Sequence, residues 1–154
     1  MKTALTANDV MCKLVITVNE GQSLAEAWKV LASNHITGAP VVDEDGQLSG
    51  VISQTDILKE TASEAFEKFP RGLFYQELPH FEGSYWPSQT DILHEMTVGE
   101  IMNSEPICAE SNTPVATLAA RMRHHKIHRI PITNGTKLVG IVSTMDLIKF
   151  LEEQ

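Results

Sequence analysis

The chain has 154 residues, 42% of them hydrophobic and 21% charged, the composition of one globular domain rather than of a disordered chain. Its formal net charge of −8 argues against nucleic acid as a partner, because an acidic surface repels a phosphate backbone. No apolar run approaches the roughly 18 residues of a membrane span, Met1 to Thr6 lack the apolar stretch of a signal peptide, and Cys12 and Cys108 form no CxxC pairing, so a cytoplasmic protein with no membrane span and two reduced thiols is expected.

In chain order, Leu14-Val15-Ile16-Thr17-Val18 predicts a short strand, and Ser23 with Glu26 forms a capping box for a helix ending near Asn34-His35. Within that helix Leu24, Ala27, Trp28 and Leu31 have the i, i+3, i+4, i+7 spacing of a buried face. Ala39-Pro40-Val41-Val42 and Leu48-Ser49-Gly50-Val51-Ile52 then flank Asp43-Glu44-Asp45-Gly46, whose Asp-Gly pair signals a hairpin turn.

Residues 59–96 hold seven of the nine aromatics (Phe66, Phe69, Phe74, Tyr75, Phe81, Tyr85 and Trp86), too many for a disordered linker. An amphipathic helix is expected from Ile57 to about Phe69, then a segment punctuated by Pro70, Pro79 and Pro87, then a short helix from Ser88. Ser88 to Leu93 repeat Ser53 to Leu58 letter for letter, but Tyr85-Trp86-Pro87 precedes the second copy where Gly50-Val51-Ile52 precedes the first. It is a reused helix start without a binding strand behind it.

The final third repeats the first. Thr113-Pro114 starts a helix with Val115, Leu118, Ala119 and Met122 on its buried face. Ile130-Pro131-Ile132, the Asn134-Gly135 turn and Leu138-Val139-Gly140-Ile141-Val142 make a second hairpin. Thr6 to Met11 align with Thr97 to Met102 at an offset of 91 residues, Pro40 aligns with Pro131, and Gly50 to Asp56 match Gly140 to Asp146 after a one-residue deletion. The organisation read from this is repeat 1 over 1–58, an insertion over 59–96 and repeat 2 over 97–154. Each repeat is strand, helix, strand, strand, helix, an α/β (α+β) fold class. Units of about 50 residues are marginal alone, so the two are expected to share a core.

Charge is unevenly spread. Residues 111–145 contain Arg121, Arg123, Lys126, Arg129 and Lys137 and no Asp or Glu, so this stretch is +5 while the remainder totals −13. It suits an anion, although cations also merely solvate helix faces and turns.

The arrangement that points to chemistry is a Gly-apolar-apolar strand running into Ser-x-x-Asp at a helix start, present at Ser53 and Asp56 and again at Ser143 and Asp146. Such residues cap helices in any fold. The same groups suit a nucleotide: backbone amides and the Ser hydroxyl offer donors to phosphate, and the carboxylate accepts from the paired hydroxyls of a ribose.

These strings, with Asp9-Val10-Met11, Glu100-Ile101-Met102, Ile36-Thr37-Gly38-Ala39-Pro40 and Ile127-His128-Arg129-Ile130-Pro131, resemble the cystathionine beta-synthase (CBS) domain family in a tandem pair, often called a Bateman module. The resemblance covers nearly everything except the insertion. It implies two CBS units packed as a pseudo-twofold pair and a non-catalytic regulatory module responsive to adenosine nucleotides (AMP, ADP or ATP), with no metal required. It further implies that Asp56 and Asp146 hold ribose, that Ser53 and Ser143, with Thr55 and Thr144 beside them, meet phosphate, and that Thr17, Thr37, Gly38, Ala39, Pro40, Cys108, His128, Arg129, Ile130 and Pro131 line the base pocket. Lys126 to Pro131 look like the phosphate-binding segment of the gamma subunit of AMP-activated protein kinase. The first repeat departs from that pattern, since its Thr37-Gly38 carries no charge. A homodimer is implied as well, with Ile57, Leu58, Leu147, Ile148 and Leu151 expected as an exposed apolar stripe, and so is a target protein that the sequence does not identify.

Other readings compete. His124, His125 and His128 invite a metal, but the helix is expected to end near His125, which separates His124 from His128. No Ser/His/Asp or Cys/His set supports an enzyme. A protein-interaction module without ligand, anchored by Tyr85 and Trp86, or a CBS protein binding S-adenosylmethionine or nucleic acid, are the alternatives.

Overall fold

A computed structural model of the chain describes residues 3–60, 73–76 and 90–154. In chain order the elements are α1 (Ala7–Val10), β1 (Val18–Asn19), α2 (Leu24–Ser33), β2 (Gly38–Val42), β3 (Leu48–Ser53), α3 (Gln54–Lys59), a 3-10 turn (Leu73–Tyr75), α4 (Thr90–Glu95), α5 (Val98–Ile101), β4 (Ala109–Glu110), α6 (Val115–His125), β5 (Arg129–Asn134), β6 (Lys137–Ser143) and α7 (Thr144–Glu152). They form two three-stranded sheets, β1-β2-β3 and β4-β5-β6, each with a parallel pair followed by an antiparallel hairpin. The chain is therefore mixed α+β.

Two compact units result, one of Ile16–Pro106 and one of Met1–Val15 with Ile107–Gln154. The opening segment of each sequence repeat thus belongs to the unit built on the other repeat's sheet. In the Ile16–Pro106 unit the β3 edge is closed by Asn103, which exchanges backbone hydrogen bonds of 3.0 and 2.9 Å with Val51. In the other unit Cys12 does the same for Ile141, at 2.9 and 3.0 Å. Covering an open edge in this way removes a pairing hazard. It also explains how proline sits in a central strand: Val51 and Ile141 direct their N–H groups outward, so their partners Pro40 and Pro131 stand at non-hydrogen-bonded positions. On the other side the pairing with β1 starts only at Val41 and that with β4 only at Ile132, so the missing proline N–H removes no ladder bond.

The core of the Ile16–Pro106 unit gathers Leu24, Trp28 and Leu31 of α2, Ala39, Val41 and Ile52 of the sheet, Ile57 and Leu58 of α3 and Leu93 of α4. Burying each large side chain contributes about 1.5–3 kcal/mol. Both hairpins turn as expected on a glycine at positive φ, Gly46 at 77° and Gly135 at 62°.

Several expectations need correction. The strand placed at Leu14–Val18 is only Val18–Asn19, and Leu14 is 91% exposed, where the sequence passes from one unit to the next at Val15 and Ile16. Ile57 and Leu58 are fully buried in the core, so they form no exposed stripe. Pro114 is the N-cap of α6, with ψ of 141°, and not its first helical residue. The helix expected from Ile57 to Phe69 is seen as α3, ending at Lys59, with 61–69 outside the described residues. The helix expected from Ser88 is described from Thr90, with 88 and 89 outside the described residues. Tyr85 and Trp86 lie outside the described residues.

Candidate functional site

Each predicted site begins where a strand ends in a capping box. In the first repeat Ser53 caps α3: its N–H donates to Asp56 Oδ2 at 2.9 Å, its Oγ accepts from the Asp56 N–H at 3.2 Å, and its Oγ lies 2.9 Å from Thr55 Oγ1. Gln54 donates its N–H to the Thr37 carbonyl at 2.8 Å, which ties the helix start to the segment entering β2. Ser53 stands opposite Gly38 in the sheet, so sequence positions 37–40 and 53–56 are brought together. This string is almost sealed: Ser53, Thr55 and Asp56 are 1%, 2% and 3% exposed.

The second repeat builds the same joint and leaves it open. Ser143 donates from its N–H to Asp146 Oδ2 at 2.7 Å and from its hydroxyl to the same oxygen at 3.0 Å, and the Asp146 N–H returns a bond to Ser143 Oγ at 3.2 Å. Thr144 donates its N–H and its hydroxyl to the His128 carbonyl, at 2.8 and 3.2 Å. Ser143, Thr144 and Asp146 are all half-exposed. Both Ser143 bonds to the Asp146 carboxylate fall on Oδ2, and a carboxylate's second oxygen is suited to accept from an incoming hydroxyl.

One cation of this repeat, Arg129, stands at that joint. Arg129 is half-buried and pairs directly with Ser143, and cross-strand partners share a sheet face, so guanidinium and hydroxyl stand on one side. Lys126 ends α6 in the left-handed region, φ 53°, as His35 does after α2 at 52°. Neither is glycine, and a left-handed residue with a Cβ costs roughly 1–2 kcal/mol. Their positions match across the repeat, and each is followed by an isoleucine N–H bonded to the helix it leaves, Ile36 to Leu31 and Ile127 to Met122, both at 3.0 Å. This exit sets the direction of Thr37 and of His128.

Thr17 and Cys108 both fall immediately before their sheets' first strands, and Arg121 donates to the Cys108 carbonyl at 3.3 Å. Ala39, Ile130 and Pro131 are buried, Ala39 and Ile130 among the apolar residues of their units. Strand alternation directs Ala39 and Ile130 away from the face that carries Gly38 and Pro40, or Arg129 and Pro131. Those two residues were expected to line a pocket, and the structure places their side chains in the hydrophobic layer instead.

A cleft of about 360 Å³ opens in the Met1–Val15/Ile107–Gln154 unit, between Asp9 to Cys12 on one side and Asp146, Lys149, Phe150 and Glu153 on the other. Asp146 is the residue of the expected ligand-binding set that lines it. Three carboxylates against one lysine make it a poor host for phosphate. Asp9 is further held in its charged form: the Thr6 backbone N–H, and then the Thr6 hydroxyl, donate to its carboxylate and lower its pKa. The motif Asp9-Val10-Met11 announced this segment in the sequence, but not that it would lie beside Asp146.

Gly50 and Gly140 also acquire a role that the sequence pattern hid. A Cβ on Gly50 would meet the Asn103 carbonyl oxygen at 2.5 Å, and one on Gly140 would run into Met11. These glycines admit the opening segment of the opposite repeat, whatever binds nearby. Among the described residues no group of three or more His, Cys, Asp or Glu could hold a metal ion, and α6 ends at His125 with β5 starting at Arg129. Among the described residues no helix is long and apolar enough to cross a membrane.

Comparison with known proteins places this geometry in context. The CBS domain profile matches residues 7–69 and 98–153. An uncharacterized Methanocaldococcus jannaschii protein, MJ1404, is 29% identical over 94% of this chain. The chain spans 31% of the length of that relative, and 23% of an L-aspartate semialdehyde sulfurtransferase from the same organism, so it matches only part of each. Among solved structures, CBSX2 from Arabidopsis thaliana superposes with a TM-score of 0.73 at 20% identity, covering 98% of this chain and 96% of that one. The CBS domain pair of protein MJ0100, solved in complex with 5′-methylthioadenosine and S-adenosylmethionine, has a TM-score of 0.65 at 25% identity and covers 98% of both chains.

Proposed function

Because the chain belongs to the CBS domain family and carries two copies of its domain, we propose that it binds an adenine nucleotide of the AMP, ADP or ATP type and conveys metabolite state to a partner protein. The observation that carries this reading is the half-exposed Ser143-Thr144-Met145-Asp146 joint, whose Ser143 pairs with Arg129 across the sheet. Phosphate gains charge-assisted bonds from Arg129, and a donor from the Ser143 hydroxyl once it turns away from Asp146. The ribose hydroxyls donate to Asp146, and the adenine rests against the segment around His128.

A second adenosine ligand has specific support, since the MJ0100 domain pair was solved with S-adenosylmethionine and 5′-methylthioadenosine. Both candidates share the ribose and base, so Asp146 serves either, and only the group at the 5′ position differs. A homodimer is part of the same reading. On α7, Met145, Ile148 and Leu151 are 59%, 44% and 70% exposed, an apolar stripe that a partner surface would cover.

The test is isothermal calorimetry and thermal melting with AMP, ADP, ATP and S-adenosylmethionine. A ligand at 100 times its dissociation constant stabilises the folded chain by about 2.7 kcal/mol. Absence of both heat and melting shift with all four would overturn the reading.

A further inference from the structure

In the Ile16–Pro106 unit the face bearing Ala39, Val41 and Ile52 is occupied by α2 and α3. Alternation puts Gly38, Pro40, Val51 and Ser53 on the opposite face, with Gly38 paired to Ser53 and Pro40 to Val51. The 3-10 turn Leu73–Tyr75 packs directly against β3 and β2. Because helices take one face, the turn is assigned by elimination to the other, the face that carries the first Ser-x-x-Asp string. Its aromatics are buried, Phe74 at 0% and Tyr75 at 5% exposure, with their rings edge to face at 5.0 Å.

We propose that the Leu73–Tyr75 turn is a built-in occupant of the first repeat's nucleotide face, so that the chain takes one adenine nucleotide, in the second repeat. A flat purine is held by apolar and aromatic contact on both sides, and a Phe-Tyr pair supplies surface of the same kind from within the chain. Because the turn is covalently tethered, its effective concentration is high and a free ligand competes at a disadvantage. A second, independent feature agrees: Thr37-Gly38 stands where His128-Arg129 stands in the second repeat, so the first site offers no cation to phosphate that would favour an incoming nucleotide over the turn. Ser53, Thr55 and Asp56 keep their capping geometry and are sealed, whereas Ser143, Thr144 and Asp146 keep it and remain accessible. The inference rests on the nucleotide reading of the second site and adds which site is used and why.

Two measurements decide it. Calorimetry with ATP and AMP on the full chain is expected to give one ligand per chain, and the Phe74→Ala/Tyr75→Ala variant, with the turn's side chains removed, two. Photolabelling of the unaltered chain with 8-azido-ATP is expected to mark peptides from residues 107–154 and to spare those containing Thr37 to Asp56, a result independent of whether the variant folds. Two ligands per unaltered chain, label on Thr37–Asp56 peptides, or a folded variant that still binds one would overturn the proposal while leaving nucleotide binding intact. No heat and no label at either site would instead overturn the nucleotide reading, and this inference with it.

Discussion

Met11 lies across Gly140: a Cβ at Gly140 would collide with the Met11 sulfur, and on the other sheet a Cβ at Gly50 would stand 2.9 Å from the sulfur of Met102. Each methionine comes from the repeat opposite to the glycine it covers. The two most recognisable strings of the sequence, Asp-Val-Met and its partner Glu-Ile-Met at the repeat starts and Gly-x-x-Ser-x-x-Asp at the strand ends, are thus two sides of one packing joint. The glycine admits the methionine, and three residues later the serine opens the helix whose start is the candidate site.

This joint sets an order of sensitivities. At Gly50 the nearest obstacle is the Asn103 backbone carbonyl, which is pinned by its pairing with Val51, whereas at Gly140 it is the end of a flexible Met11 side chain. Gly50→Ala is expected to destabilise by about 1–3 kcal/mol and Gly140→Ala by less, with Met11→Ala recovering part of the Gly140→Ala loss. Urea denaturation of the single and double variants reads both. Equal costs at the two glycines would show that the sulfur, not the carbonyl, sets the limit.

The two capping carboxylates should also differ. Asp56 is 3% exposed and accepts from the buried Ser53 N–H, so Asp56→Ala leaves a donor without water and is expected to cost about 1–3 kcal/mol. Asp146 is half-exposed, and water can replace part of what Asp146→Ala removes, so about 1 kcal/mol is expected there, the usual effect of a lost cap. Thermal melts without ligand compare them directly.

Arg129→Ala is expected to weaken AMP binding by about 10- to 100-fold, corresponding to roughly 1.5–3 kcal/mol for hydrogen bonds to a charged group, while adenosine binding changes little. Parallel calorimetric titrations with AMP and adenosine measure the contrast. If both ligands weaken equally, Arg129 supports the strand or the base and not the phosphate.

Association is expected to run through α7. Ile148→Glu places a charge in the middle of the exposed Met145, Ile148, Leu151 stripe and should shift sedimentation from dimer to monomer without lowering the melting temperature of the monomer. Ile57→Glu, at the corresponding turn of α3, should unfold the chain, because Ile57 is fully buried.

Asp9 gives a pH signature. Hydrogen bonds from the Thr6 N–H and hydroxyl hold its folded-state pKa below the ordinary carboxylate value, so its contribution to stability is fully present above that ordinary value, roughly pH 4, and is lost as pH falls through the lowered one. Asp9→Asn should flatten the acid limb of a stability-versus-pH curve and leave the neutral region's slope unchanged. An identical acid limb in the variant would mean that other carboxylates carry it.

The duplication, both hairpins, the helix that buries Leu24, Trp28 and Leu31, and the capping role of Ser53 and Ser143 were legible in the sequence, because each depends on spacing within a few residues: a 3.6-residue period, an Asp-Gly or Asn-Gly turn, a Ser-x-x-Asp box. The matching CBS profile agrees with the family read from those strings. What the tertiary structure decided depends on residues far apart in the chain. Ile57, Leu58 and Ile148 look alike as apolar helix positions, yet only the first two are covered, in a core that also takes in α4. Met11 and Gly140 announce no relationship until the opening segment crosses to the other sheet. The aromatic density of the insertion argues against a disordered linker, but that the Leu73–Tyr75 turn packs against β2 and β3 is a matter of long-range packing, which local periodicity does not encode.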